Sequence, residues 1–428
     1  MKKKFLAPCS SLLVFSFSLL LLFSACRKEA DYIPYLGENS KFAYSTYTEQ
    51  FQYIWKTVNT GYVFWDVDTV NWDAAYERYL PRFEALDKKY QDSGYVRNDE
   101  LKSLYLGMMG AMIDHHMLVY VVNMHPAPTD TRNYIYFYPG DLEVESRGYY
   151  FESRGDAQIA LNTFLSNIET DYTVATHEYG VFSHGNGNVA LHYCLFTLSD
   201  GRVVPYLWQS SANLTPLMYN EGDAAGKAVI VHWLEAICNT PRSQIAGIIL
   251  DNRANSGGYQ DDLDYLIAPF INQRKEILKT RYKEGPGRLE HSVWSPYYLD
   301  PNPVYHRDIT AENIPYVIIC DVNSISMGEV EPLCAKQLLP TAHTVGERTW
   351  GGVGFLQMDA FDLTHGGIIG NLDRDNHFIY TPTFETQIGG RVREREGVLP
   401  DEVVLRIDDP NHSFKPQLDA ALNYIANY

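Results

Sequence analysis

Residues 316–357 read YVIICDVNSISMGEVEPLCAKQLLPTAHTVGERTWGGVGFLQ, and this stretch decides the fold. An apolar run from Tyr316 to Cys320 gives way to Asp321, Asn323, Ser324 and Ser326, and a helix-compatible stretch follows from Met327 to Leu339. The pattern predicts a buried strand, a turn and a helix, with Ser326 on the turn. A hydroxyl placed there stands above a sheet edge at a helix N-terminus, where free N–H groups and the helix dipole favour developing negative charge. Ser326 is therefore a candidate nucleophile.

The sequence on either side has the same texture. Val189 to Phe196, Val203 to Trp208, Ile245 to Leu250 and Glu276 to Tyr282 read as strands, and Asp223 to Cys238 and Gln260 to Ile271 as helices. Strands alternating with helices indicate an α/β sheet with its sites at the strand ends. Phe355 to Ile407 is β-rich, and Pro416 to Ile425 is an amphipathic helix. Further upstream, Tyr44, Tyr47, Phe51, Ile54 or Trp55, and Val58 recur at helical spacing. Trp72, Tyr76, Tyr79 and Phe83 repeat that pattern, with Pro81 expected to kink or split the helix. A third helix is expected to start at Asn98 as its N-cap.

The organisation expected is a signal segment 1–25, a tether 26–40, a helical domain 41–115, a β-containing connecting region 116–187 and an α/β core 188–428. Lys2 to Lys4 precede an apolar run from Leu12 to Phe23, as in a secretory signal. Phe23-Ser24-Ala25-Cys26 resembles a bacterial lipobox with Phe where Leu is usual, so Cys26 is the expected lipidation site and the cell envelope the expected location. With 428 residues, of which 45% are hydrophobic, the chain can bury a sizeable core. A formal charge of −18 gives no surplus of Lys or Arg to neutralise phosphates, which argues against a nucleic-acid partner. Cys194, Cys238, Cys320 and Cys334 are widely spaced, without a C-x-x-C or H-E-x-x-H pattern, so neither metal nor cofactor is expected.

Three clusters bear on Ser326. Asp251-Asn252-Arg253-Ala254-Asn255-Ser256-Gly257-Gly258 follows the buried strand, and its paired glycines suit either an oxyanion loop or a tight turn. Asp114-His115-His116 supplies histidines at a helix-to-strand junction, as a base for the serine or as cations at a helix C-terminus. Arg393-Glu394-Arg395-Glu396-Gly397-Val398-Leu399-Pro400-Asp401 offers a carboxylate to orient a histidine, or simply a solvated charged turn. Spacing alone does not bring them together.

Their order and wording resemble the S41 peptidase family, which includes tail-specific processing proteases and tricorn-like proteases. The resemblance rests on D-x-R-x-N-x-G-G (Asp251, Arg253, Asn255, Gly257, Gly258), on Ser326 and Glu329 of a nucleophile motif, on Gly346, Glu347, Thr349 and Gly351, and on Gly397, Val398, Pro400 and Asp401. It implies an α/β (α+β) architecture: an N-terminal helical domain followed by a ClpP/crotonase-like protease core. It also implies a serine endopeptidase acting on protein or peptide substrates. Gly352 stands where one branch has a catalytic lysine, so the resemblance points to the tricorn-like branch, with Ser326 as nucleophile, His116 as base and Glu394 as the supporting carboxylate. Gly257 and Met327 are the implied oxyanion donors, with Gly258 and His115 as auxiliaries; His115 occupies the position of a bridging serine. About 70 residues separate His116 from Val189, with no G-L-G-type carboxylate loop, so a full PDZ domain is not expected. The alternative reading is a catalytically silent relative that binds a peptide or hydrophobic ligand.

Overall fold

The computed structural model describes residues 45–184, 187–219, 224–356, 367–370 and 376–428. The expected signal segment, the tether and Cys26 lie outside them. In the N-terminal part, α1 (Tyr47–Gly61), α2 (Trp72–Ser93) and α3 (Asn98–Met109) precede β1 (Leu118–Val122) and β2 (Tyr134–Phe137). Next come α4 (Asp141–Ser146), α5 (Arg154–Ser166), β3 (Val174–His184), β4 (Gly187–Thr197) and β5 (Val203–Gln209). The core continues with α6 (Leu214–Tyr219), α7 (Ala224–Asn239), β6 (Ile248–Asp251), α8 (Leu263–Leu266), β7 (Lys275–Tyr282) and β8 (Ser295–Leu299). After these come β9 (Tyr316–Cys320), α9 (Met327–Leu338), β10 (Ala342–Gly346), β11 (Ile368–Ile369), β12 (His377–Tyr380), β13 (Phe384–Ile388), β14 (Arg391–Val392), β15 (Glu402–Val403) and α10 (Lys415–Asn427).

The largest sheet runs β15-β10-β9-β6-β5-β4-β3. Its centre is parallel and its β3–β5 end antiparallel. β6 and β9 are buried at every residue because both sheet faces are covered, which is why they read as unbroken apolar runs. Side chains alternate between two cores. Leu250, Tyr316, Ile318 and Cys320 pack with α7 and α9, whereas Ile249, Val317 and Ile319 pack with α5 and α10. The sheet begins at β3, ahead of the expected core boundary at residue 188, because β3 and β4 form one hairpin.

Helices α1–α3 do not stand as a separate bundle. Phe51, Phe83 and Tyr105 share a core with Val119, Ile135, Ile369 and Ile379, which belong to a second sheet of order β11-β12-β1-β2. α2 runs unbroken through Pro81. Pro81 and Glu77, whose carbonyl loses its partner, both face solvent, so water can take the missing hydrogen bond. Asn98 is the first helical residue rather than the cap; its side chain bonds the Arg132 carbonyl and Asn123 instead. The expected helix over 260–271 is only the single turn of α8 flanked by 3-10 turns, with Pro269 in the second. All four cysteines described are free thiols. Among the described residues no helix is long and apolar enough to cross a membrane.

Candidate active site

Three loops leave the carboxyl ends of neighbouring parallel strands: 252–258 after β6, 321–326 after β9 and 347–352 after β10. Buried polar groups stitch them together. The Asp321 carboxylate accepts from Ala254 N, Asn323 N and Ser324 Oγ, while Ser324 Oγ also donates to the Asn252 carbonyl. Ile325 N donates to the Asn255 carbonyl at 3.0 Å. Glu329, on the first turn of α9, accepts from Gly351 N and Gly352 N at 2.8 Å each, and from the Thr349 hydroxyl. The Ser-x-x-Glu and Gly-Glu-x-Thr-x-Gly patterns thus hold the nucleophile loop in place.

Ser326 has φ 59 and ψ −123, a left-handed conformation costly for a side chain with a Cβ. Three contacts hold the turn. Ser326 N donates to the Gly352 carbonyl at 2.8 Å, and Glu329 N and Val330 N both donate to the Ser326 carbonyl. The result is a sharp strand-to-helix turn that lifts Oγ into a cleft of about 1150 Å³. Leu118, Phe151, Trp350, Phe355, Tyr380 and Phe384 form its apolar walls, while His116, Asn323 and Arg154 are among its polar lining.

His116 lies in the same cleft. A Cβ placed on Gly352 would come 3.1 Å from His116 Nδ1, so the ring lies against the residue that accepts from Ser326 N. Neither ring nitrogen has a hydrogen-bond partner among the described residues, and the hydrogen bond to Ser326 Oγ is not formed. Burial pulls the His116 pKa down to about 3, helped by Arg154 and His115, so the imidazole is neutral, the form in which a general base starts.

Glu394 follows β14 and is buried. Its Oε2 accepts from Val353 N at 3.0 Å and Gly354 N at 2.8 Å, and its Oε1 has no partner among the described residues. Asp114, His116 and Glu394 each bring an atom within 4.8 Å of the other two. Burial raises the Asp114 pKa to about 7, and burial followed by the Asp114 charge raises that of Glu394 well above the usual carboxylate range. This trio is a donor set that could hold a metal ion. A second set, Asp66, His291 and Glu385, already has the Arg281 guanidinium bridging its two carboxylates.

Asp114, named in the sequence only as part of a cluster, brings a carboxylate oxygen within 4.8 Å of both His116 and Glu394. Its carboxylate accepts from His116 N at 2.9 Å and from Thr381 Oγ1 at 2.6 Å. His115 does not take the bridging position. Its Nδ1 meets the Trp350 carbonyl at 2.7 Å, and Trp350 Nε1 donates back to the His115 carbonyl at 3.1 Å, so this histidine clamps the cleft wall.

Of the two N–H groups expected as oxyanion donors, Gly257 N is taken up and Met327 N is not. Gly257 N donates to Asn255 Oδ1 at 2.8 Å, an Asx turn that uses up the N–H expected to serve. Gly258 N and Met327 N have no acceptor among the described residues, and both line the cleft. Only glycine fits at 258, where φ is 152 and a Cβ would lie 1.9 Å from the Ala212 carbonyl oxygen.

Residues 228–404 match the family model described as Peptidase family S41, and residues 44–91 match that of the Tricorn protease C1 domain. The first match spans Ser326, Gly257, Gly258 and Glu394, and neither includes His116. No curated protein matches. A solved structure from Parabacteroides merdae ATCC 43184 is similar at 18% identity, with a TM-score of 0.58, covering 89% of this chain and 97% of that one. Mature CPAF is similar at 11% identity and a TM-score of 0.55, covering 89% of this chain and 95% of that one. CPAF complexed with lactacystin is similar at 10% and 0.53, covering 89% and 97%. The chain shares the mixed α/β fold of these structures, and the match over residues 228–404, which include the Ser326 turn, supports a serine peptidase.

Proposed function

We propose that the chain is an endopeptidase working through Ser326, His116 and Glu394. The observation that carries this reading is the placing of a left-handed serine turn and a neutral, unpartnered histidine against the same residue, Gly352, with a buried carboxylate beside the histidine. His116 takes the proton as Ser326 Oγ bonds to the peptide carbonyl carbon, and the oxyanion lies between Gly258 N–H and Met327 N–H. Each such donor is worth about 3 kcal/mol of transition-state stabilisation. Collapse breaks the C–N bond, His116 returns the proton to the leaving amine, and water then releases the acyl group by the same route. Glu394 stabilises the imidazolium, and Asp114 fixes the histidine backbone. The substrate is a polypeptide of the bacterial envelope, where Cys26 carries the lipid anchor.

Digestion of a peptide library tests the chemistry. Ser326→Ala and His116→Ala should each lower kcat at least about 10³-fold; undiminished cleavage by Ser326→Ala would exclude the nucleophile. Cys26→Ser should move the protein from the membrane to the soluble fraction. A second reading, ligand binding without turnover, is favoured by the unformed Ser326–His116 hydrogen bond and the apolar walls, and binding without cleavage by the unmutated chain would select it.

A further inference from the structure

Arg154 is the first residue of α5 and lines the cleft beside Ser326. Its Nε–H donates to the Asn323 carbonyl at 2.7 Å, and among the described residues its guanidinium has no other hydrogen bond and no ion pair. Carboxylates whose field reaches it are committed elsewhere: Asp321 to the 252–258 and 321–326 loops, and Glu329 to the 347–352 loop. Asp141, also on the cleft, is itself pushed up to about 6 by burial. The guanidinium lies over the Trp350 ring at 5.1 Å, which fixes its orientation.

Arg154 is only partly buried, so its unpaired guanidinium N–H groups face the open cleft, where the carboxylate of a bound ligand can take them. A second observation points the same way. The Asn323 side chain is 0% exposed and lines the same cleft, and among the described residues neither its Oδ1 nor its Nδ2 has a partner. Two forked N–H groups and an amide N–H thus belong to the lining of one cleft, with Trp350 and Phe151 also on it, and no acceptor among the described residues serves them.

We infer that Arg154 and Asn323 form a carboxylate subsite next to the nucleophile, so that preferred peptides present an acid there, from an Asp or Glu side chain or from the chain's own C-terminus. The inference rests on the peptidase reading above. A guanidinium fork matches a carboxylate in two parallel hydrogen bonds, and Asn323 Nδ2 supplies a third donor. The net charge of −18 repels acidic ligands at long range, so the preference arises in contact and survives added salt better than a surface attraction does.

The test uses the full chain carrying Ser326→Ala, with fluorescein-labelled peptides that differ only by Glu or Gln at one scanned position. Each is made as a free acid and as a C-terminal amide, and binding is read by anisotropy. The acidic member of a pair should bind about tenfold more tightly, and the arm that carries the difference identifies its source. Adding Arg154→Gln should bring the ratio to about one, and Arg154→Lys, which keeps the charge but loses the fork, should give an intermediate ratio. Equal binding of acidic and neutral members, no measurable binding of acidic ones, or a preference that survives Arg154→Gln would overturn the subsite. In hydrolysis by the unmutated chain the same preference should appear in KM. Selective binding with no hydrolysis would count against the peptidase reading and leave the subsite standing.

Discussion

His116 and its surroundings decide the chemistry at the scale of single residues. Two carboxylates flank the ring, and they serve it differently. Glu394 has one oxygen held by two backbone N–H groups and the other bare, whereas both oxygens of Asp114 are occupied, by His116 N and Thr381 Oγ1. Glu394→Gln should therefore lower kcat by about 10²-fold or more with little change in KM, because the amide, unlike the carboxyl, cannot ionise opposite the imidazolium as it forms. Asp114→Asn keeps an acceptor for His116 N and should lower kcat less than about tenfold. Steady-state kinetics of the two variants decide between the carboxylates, and the reverse ranking would assign Asp114 the electrostatic role. Gly352 can be tested in the same way. An added Cβ would meet the Ile325 side chain at 3.0 Å and His116 Nδ1 at 3.1 Å, so the ring would have to move by tenths of an ångström. Gly352→Ala should lower kcat by about 10- to 100-fold with little loss of Tm, since Gly352 is not among the residues of positive φ. Gly352→Lys should fall further, as its chain enters the space beside the imidazole.

At the scale of elements, α9 and the loops around it carry the geometry. Glu329 is buried and satisfies two loop N–H groups and one hydroxyl. Glu329→Ala strands these donors, and should cost about 3 kcal/mol or more of stability. The cost would appear as a lower denaturation midpoint at unchanged m, together with reduced kcat because the same loop accepts from Ser326 N. This strand-turn-helix was legible in the sequence because its signals are local: an apolar run buried on both faces, then small residues, then helical spacing. Local signals misled where tertiary context overruled them. Solvent on one face of α2 lets Pro81 pass unkinked, and 260–271 breaks into short turns with Pro269 in the last. The site itself was legible only in part. Its members precede β1, follow β9 and follow β14, one from each sheet, and no sequence spacing encodes that meeting. Asp114, Arg154 and Asn323 carried no pattern of their own. The preference for Gly258 over Gly257 depends on a two-residue Asx turn, which the sequence allows but does not dictate.

Across the whole molecule, gathering three loops and three sheets into one cleft buries carboxylates that would otherwise be hydrated, and stability must then follow pH. Burial raises Asp114, Glu347 and Glu385 to about 7 and Glu329 to about 6, and raises Glu331 and Glu394 well above their ordinary values. For these groups the folded chain binds more protons than the unfolded one. Their contribution is complete below the unfolded carboxylate range and is lost as pH rises through 6 to 7 and beyond. The buried histidines act in the opposite sense. His115 is lowered to about 4 and His116 and His192 to about 3 by burial, so their contribution is present above the unfolded histidine value near 6.5 and lost as pH falls below it. From pH 6.5 to 8 the raised carboxylates act without the histidines and Tm should fall, whereas Lys283, lowered to about 8 by burial, acts in the opposite sense above that range. Repulsion within a chain of formal charge −18 changes in the same direction, but salt screens exposed charges and scarcely touches buried ones. Thermal melts across that pH range at low and high ionic strength separate the two. A slope that persists in high salt and shrinks in Glu394→Gln belongs to the buried carboxylates of the site, whereas a Tm that is flat with pH would mean that these groups are already ionised in the folded chain.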